Sequence, residues 1–205
     1  STQTTYVNLG LFSAMHKLHG VGFNAFGSMV QNNMNGVQIS GLANLAGGSM
    51  HGVQIGGISN VNGNNLAGLS VSGLVNKAKG VLITGLSNIA GDNMRGLMMS
   101  GIMNITGDKA AGVQLAGLAN VTGEEYDGLM MSGLLNVVGE EMNGLQLSGL
   151  ANVTGGQMNG VQLGLFNFAS KAKGLQIGLF NYHKEDMKGL QLGLVNANPQ
   201  TKVQL

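Results

Sequence analysis

Apolar and polar residues recur along this chain with a period of about 16 residues, and glycine marks each period. The commonest unit reads G-[VL]-Q-[IL]-S-G-L-A-N-V-T-G-x-x-M-x, and residues 144–159 are one copy. Counted from the opening glycine, apolar residues recur at positions 2, 4, 7, 10 and 15. Alternation at positions 2 and 4 predicts a strand with one buried face. A helix is disfavoured because each glycine costs about 1 kcal/mol relative to alanine. The units open at Tyr6, Gly20, Gly36, Gly52, Gly68, Gly80, Gly96, Gly112, Gly128, Gly144, Gly160, Gly174 and Gly189.

This repeat predicts an all-β chain that folds as one parallel β-solenoid domain over residues 1–205, with about thirteen short coils of mostly 16 residues. Glycines at positions 1, 6 and 12 divide the unit into short segments, and we expect them to form corners. The pattern leaves open whether a coil has two or three sides, and which hand the solenoid has. We expect the apolar residues at positions 2, 4, 7, 10 and 15 to form the core. The outward residues would then be serine, alanine, glutamines such as Gln38 and Gln146, and the methionines Met98 and Met130.

Asparagine occupies position 9 in eleven units, and serine replaces it in the first two. Asparagine tolerates left-handed backbone conformations and bonds to its own backbone, so we predict a stacked asparagine ladder at a corner. Three of these residues also lie in N-x-T sequons, which the repeat itself generates. The predicted ladder comprises Asn44, Asn60, Asn76, Asn88, Asn104, Asn120, Asn136, Asn152, Asn167, Asn181 and Asn196.

Composition narrows the class of protein. The chain has 36 glycines but one proline, 43% hydrophobic residues and a net charge of +1, which disfavours collagen and disorder. A near-neutral chain is a poor nucleic-acid binder. Cysteine is absent, so disulfides and thiolate sites are excluded. No apolar run reaches about 18 residues, so no transmembrane helix is expected.

Every acid, and every Lys or Arg apart from the arguable case of Lys202, lies in the segment that follows position 9 of its unit, and positions 1–9 carry no charge in any unit. Two interpretations stay open. Stacking places equivalent side chains about 4.8 Å apart, so repeated charges would repel one another. Alternatively, the uncharged faces meet an uncharged partner. Four acids follow the glycine at position 12 and form a candidate calcium column, for which a solvated charged edge is the alternative. These acids are Asp92, Asp108, Glu124 and Glu140.

Catalytic chemistry finds little support in the residue pattern. Histidines His16 and His19 share one variable segment without a carboxylate, and the serines lack a local histidine partner. Nothing matches a nucleotide-binding loop. We therefore expect no enzyme activity and no cofactor.

The segments GVQLGLFNFASKAK, GLQIGLFNYHKEDMK and GLQLGLVNANPQ within residues 160–200 resemble the G-[VL]-Q-[IL]-G-L-[FVI]-N repeats of bacterial surface repeat proteins of the Leptospira and Bacteroides type. With one inserted residue, the resemblance extends over nearly the whole chain. It implies a location at the cell surface, in the outer membrane or outside the cell, and assigns no functional residue.

The sequence thus favours a non-catalytic surface or secreted scaffold, similar in use to an adhesin, that binds through its repeated faces. The alternatives are an outer-membrane β-barrel, in which uncharged segments would be membrane strands, and a flat glycan- or ice-binding solenoid. Neither terminus has a polar cap, and 202–205 resemble the first strand of another coil. We therefore expect the chain to continue, or to self-associate through its ends or uncharged faces, or to bind a surface glycan or protein.

Overall fold

The computed structural model describes residues 3–64, 66–77, 80–185, 187–199 and 201–204, which contain 23 β-strands and no helix. The strands form a parallel β-solenoid of about 12 turns with roughly 16 residues per turn, which confirms the predicted fold class. The chain divides into two compact units, Ser1–Gly101 and Ile102–Leu205.

The first unit contains strands β1 to β11. They are β1 (Thr4–Met15), β2 (Lys17–Val30), β3 (Met34–Ser40), β4 (Ala43–Ala46), β5 (Met50–Gly56), β6 (Ser59–Asn62), β7 (Leu66–Ser72), β8 (Val75–Lys77), β9 (Val81–Thr84), β10 (Ser87–Ala90) and β11 (Met94–Ser100).

The second unit contains strands β12 to β23. They are β12 (Met103–Thr106), β13 (Ala110–Ala116), β14 (Ala119–Thr122), β15 (Glu125–Ser132), β16 (Leu135–Val138), β17 (Glu141–Ser148), β18 (Ala151–Leu163), β19 (Phe166–Ile177), β20 (Phe180–His183), β21 (Met187–Leu192), β22 (Val195–Asn198) and β23 (Thr201–Gln204).

Each regular coil consists of two strands. A longer strand, such as β3, runs from position 15 of one repeat to position 5 of the next, and a shorter strand, such as β4, covers positions 8 to 11. Like strands of successive coils pair in parallel and in register, so that Gly128 lies beside Gly144 and Asn136 beside Asn152. The sequence left open whether a coil has two or three sides, and the structure shows two strands in each regular coil.

The opening glycines are the positions where the backbone requires glycine. All twelve, from Gly20 to Gly189, have φ between 116° and 148°, and all but Gly80, which directly precedes β9, lie inside the longer strand rather than at a corner. A Cβ at Gly144 would collide with the carbonyl oxygen of Gly128 in the preceding coil. The glycines at position 6, such as Gly133, lie at the turn between the two strands and allow equally close approach without positive φ. The corner prediction is therefore wrong for position 1 and right for position 6.

The buried side chains are those at positions 3, 5, 9, 11 and 15, which corrects the predicted core. Gln146 and Asn152 are fully buried, and Ser148 and Thr154 nearly so. Of the five positions expected to form the core, only position 15 does so, as in Met158. Positions 2, 4, 7 and 10 face outward instead. The predicted outward residues Gln38, Gln146, Met98 and Met130 are all buried at position 3.

The reversal has a physical basis in register. Parallel in-register stacking sets identical amides one above another, so glutamine and asparagine satisfy their donors and acceptors along the stack. The desolvation cost of a buried amide is then largely offset by its hydrogen bonds. Alternation alone could not reveal this, because it specifies two faces of a strand and not which of them is inside.

The last strand differs from the others. β23 pairs with β22 in the antiparallel sense, with Asn196 opposite Gln204 and Asn198 opposite Thr201. The prediction that 202–205 begin another parallel coil is therefore wrong for the described residues of this segment.

Candidate functional site

The interior of each unit is held by a ladder of position-9 asparagines. In the second unit Nδ2 of Asn120 donates to Oδ1 of Asn136 at 3.0 Å, and Asn136 donates likewise to Asn152 at 3.0 Å. From Asn104 to Asn181, each Nδ2 also donates to a carbonyl at position 4 of the next coil, as from Asn136 to Leu147 O at 2.7 Å. The ladder therefore ties the shorter strand of one coil to the longer strand of the next coil.

The same ladder runs through Asn44, Asn60, Asn76 and Asn88 in the first unit. The predicted ladder is thus confirmed within each unit. Its predicted place is wrong, because these residues lie in strands and no described non-glycine residue has positive φ. The sequon asparagines Asn104, Asn120 and Asn152 are fully buried, which removes them as glycosylation acceptors in the folded chain.

A second amide ladder, at position 3, was missed by reasoning from the sequence. Nε2 of Gln162 donates to Oε1 of Gln146 at 2.8 Å, Gln176 to Gln162 at 2.7 Å and Gln191 to Gln176 at 2.6 Å. Across a coil, Nε2 of Gln114 in β13 donates to Oγ1 of Thr106 in β12 at 3.1 Å. The two strands of a coil therefore face each other across a polar interior, and their outer faces point away from each other.

The residues at positions 2, 4, 7, 8 and 10 cover the outside of both strands and the turn between them. We call them the apolar outer face. In the second unit they are all apolar apart from the phenol of Tyr182. Its most exposed large side chains are between 38 and 68% exposed. They are Leu118, Met131, Leu134, Leu150, Leu163, Leu165, Phe168, Leu179, Phe180, Leu190, Leu192 and Leu194.

The first unit repeats this arrangement independently. Its exposed apolar side chains include Phe26, Leu42 and Ile58 at position 7 and Met29 and Leu45 at position 10. Soluble monomers seldom expose contiguous apolar patches beyond a few hundred Å². The second unit presents such an apolar surface in every coil, whereas in the first unit Ser59 and Ser87 occupy position 8 and Lys77 occupies position 10.

A groove in the first unit lies within this face. It has a volume of about 450 Å³ and is lined by residues of β1, β2 and β4. Gly27 forms part of its floor, and the side chains of Phe12, Phe26, Leu42 and Met29 line it. The rings of Phe12 and Phe26 stack at 5.1 Å along one wall. The groove would accept an unbranched or aromatic apolar group and offers few hydrogen-bonding partners.

Charged residues are concentrated at positions 12 to 16, which we call the charged strip. In the second unit it holds Asp127 at position 16, and Glu125 lies beside Glu141 in register. Nζ of Lys109 binds Oε1 of Glu125 at 2.7 Å, and this hydrogen bond raises the pKa of Lys109. The charged residues that the sequence separates from positions 1–9 thus lie on the charged strip, and the uncharged positions supply most of the apolar outer face.

The candidate calcium column is partly assembled by the stacking. The backbones of Asp108, Glu124 and Glu140 lie one above another, linked by N–H···O bonds of 2.9 and 2.8 Å, while Asp92 belongs to the first unit. Among the described residues, no group of three or more His, Cys, Asp or Glu side chains is arranged to hold a metal ion. Lys109 competes for the neighbouring carboxylate. The geometry therefore favours the solvated charged edge.

The remaining sequence candidates do not form a reactive centre. His16 bonds to Gln31 and Asn32 at 2.9 and 3.0 Å, and His19 packs edge-on against Tyr6 at 6.0 Å. The threonines Thr106, Thr122 and Thr154, which an ice- or glycan-binding array would present outward, are buried. The structure contains no helix, within the described residues, of the length and apolarity that a membrane span requires.

The apolar outer face carried a signal in the sequence that pointed to it. In the longer strand the apolar positions 2 and 4 flank the glutamine at position 3, and in the shorter strand the apolar positions 8 and 10 flank the asparagine at position 9. Neighbouring residues of a strand point to opposite faces, so the apolar residues and the amides lie on opposite faces. Taking the recurrent asparagine and glutamine residues as the inward ones would therefore have placed the apolar residues outside. Comparison with protein family models, with curated proteins and with solved structures finds no match for this chain.

Proposed function

We propose that this protein is a non-catalytic scaffold of the bacterial cell surface or its exterior that binds an apolar partner through the apolar outer face. The observation that supports it is the repetition of half-exposed leucine, valine, isoleucine and phenylalanine in every coil of the second unit, without a charged residue among them. Surfaces of this kind are binding sites for proteins or membranes. Rigid amide ladders beneath the face hold it in one arrangement.

The surface location rests on the resemblance of the repeats to bacterial surface repeat proteins. Protease treatment of intact source cells tests it, because an exposed scaffold is released or cut while cytoplasmic proteins stay whole. Protection of the chain in intact cells, with cleavage only after lysis, would contradict this part of the proposal.

The binding role is tested by weakening the apolar outer face at the turn. The triple variant Leu118→Asn, Leu134→Asn and Leu150→Asn changes side chains that are 41 to 48% exposed, so the fold should persist, as circular dichroism can verify. The readout is fluorescence of anilinonaphthalene sulfonate, a dye that binds apolar surface. We expect the parent to bind it strongly and the variant several-fold less.

A matched control changes the charged strip instead. The variant Glu124→Gln, Asp127→Asn and Glu140→Gln alters three side chains in the same coils and should bind the dye as the parent does. Equal dye binding by all three proteins, or weak binding by the parent, would refute the proposal.

A further inference from the structure

The apolar outer face has a geometry that distinguishes between possible partners. Its residues lie on both strands of each coil, whose outer faces point away from each other, and on the turn that joins them, as with Leu147, Leu150 and Val153 in one coil. A second copy of the chain, or any flat rigid partner, covers one of these faces and leaves the other exposed to water. A fluid acyl-chain phase covers both faces and the turn together.

The backbone of this face meets the condition for contact with lipid. Hydrocarbon offers no hydrogen bonds, so each amide and carbonyl exposed to it needs a partner in the protein. Even the turn residues satisfy this: Leu134 N donates to Leu118 O at 3.0 Å and Leu150 N to Leu134 O at 3.2 Å. Gly133 and Gly149 at the same turn pair with the preceding coil at 3.1 Å. The turns are thus part of the ladder rather than open loops.

The dimensions agree with one leaflet. The shorter strand has four residues and the apolar half of the longer strand, positions 2 to 5, has the same number. At about 3.3 Å per residue each extends about 13 Å from the turn. One leaflet contributes about 15 Å to the hydrocarbon core. The charged strip begins where this apolar stretch ends, as with Asp127 and Glu140, so it lies at the water-facing end of each coil.

We propose that the apolar outer face is immersed in the acyl-chain layer of one bilayer leaflet, with the position-7 turn deepest and the charged strip in water. The inference rests on the proposed function and names its partner. The second unit then lies in the membrane surface without crossing it, and each of its coils contributes one wedge of apolar side chains. In the first unit the groove beside Phe12 and Phe26 offers space for part of a lipid chain.

Depth labelling tests this orientation, and the absence of native cysteine makes single labels simple. The variants Leu134→Cys and Leu150→Cys place a nitrobenzoxadiazole label at the turn, and Asp127→Cys and Asn143→Cys place it at position 16 of the charged strip. The proteins are reconstituted with phosphatidylcholine vesicles whose acyl chains carry bromine, a contact quencher. We expect the turn labels to be quenched several-fold more than the strip labels.

Flotation of the parent with the same vesicles, without bromine, is the companion measurement. The parent should float, the triple Leu→Asn variant should bind more than about tenfold less, and the charged-strip variant should float as the parent does. Equal quenching of turn and strip labels overturns the orientation. Dye binding without flotation, with self-association seen by light scattering, overturns the lipid partner while leaving the proposed apolar binding face intact. Loss of both dye binding and flotation refutes the two proposals together.

Discussion

Replacing Asn136 with alanine is expected to destabilise the fold more than replacing Leu134, two residues earlier, with alanine. Asn136 is fully buried. Its Nδ2 donates to Leu147 O at 2.7 Å and Asn152 Oδ1 at 3.0 Å, and its Oδ1 accepts from Asn120 at 3.0 Å. In the alanine variant Asn120 keeps its bond from Nδ2 to Met131 O at 2.7 Å, while Leu147 O and Asn152 Oδ1 lose the amide that donates to them. At about 1–3 kcal/mol for each of these two acceptors, the cost is about 2–6 kcal/mol.

Leu134 provides the comparison on the outer face. Truncating a fully buried leucine costs about 2–5 kcal/mol. Leu134 is 48% exposed, so roughly half of that burial exists to be lost. The expected cost is about 1–2 kcal/mol, and the difference between the two variants is about 1–4 kcal/mol. A solenoid with an ordinary apolar core would show the opposite order.

The assay is equilibrium unfolding in urea, followed by circular dichroism, in a non-ionic detergent that covers the apolar outer face equally in every variant. A third variant, Asn136→Gly, separates hydrogen bonding from backbone conformation. If asparagine were selected for a left-handed corner, glycine would be tolerated at this position. The ladder requires Asn136→Gly to be at least as damaging as Asn136→Ala. A smaller effect of Asn136→Ala than of Leu134→Ala would refute the polar core.

Three further outcomes are expected. Burial raises the pKa of the Tyr126 phenol well above its usual value. The free energy of unfolding should therefore be unaffected by this group below pH about 10 and should decrease at higher pH by up to about 1.4 kcal/mol per pH unit, because only the unfolded chain ionises there. Urea titrations from pH 9 to 11 should show this decrease in the parent and not in Tyr126→Phe. Gly144 has φ +123°, and Gly144→Ala would place a Cβ against the backbone of Gly128, so this variant should lose at least about 1–2 kcal/mol of unfolding free energy. A Cβ at Gly91 meets open space, so the unfolding free energy of Gly91→Ala should lie within about 0.5 kcal/mol of that of the parent. Equal urea midpoints for the two variants would contradict the close glycine packing. Millimolar calcium should leave the melting temperature unchanged relative to a chelator control, since the acids that include Asp108 form a solvated edge, and a rise of several degrees would restore the calcium column.

The sequence determined the local features of the fold because they depend on period and residue type. A glycine every few residues excludes helix, and a 16-residue repeat with alternation at positions 2 and 4 requires short stacked strands. It also determined which residues stack, so the asparagine ladder could be listed correctly from Asn44 to Asn196. The absence of charged residues from positions 1–9 could likewise be predicted, because it is a property of the repeated sequence itself.

Only the tertiary structure decided which face of each strand is inside. Alternation is symmetrical with respect to the two faces, and the usual preference for buried apolar side chains selects Leu145 and Leu147 over Gln146. In-register stacking changes that balance, because it supplies Gln146 with the amide of Gln162 and Asn136 with that of Asn152. These bonds join residues in different coils, so they exist only once the coils have stacked. The same stacking turns the leucines outward and creates the apolar outer face.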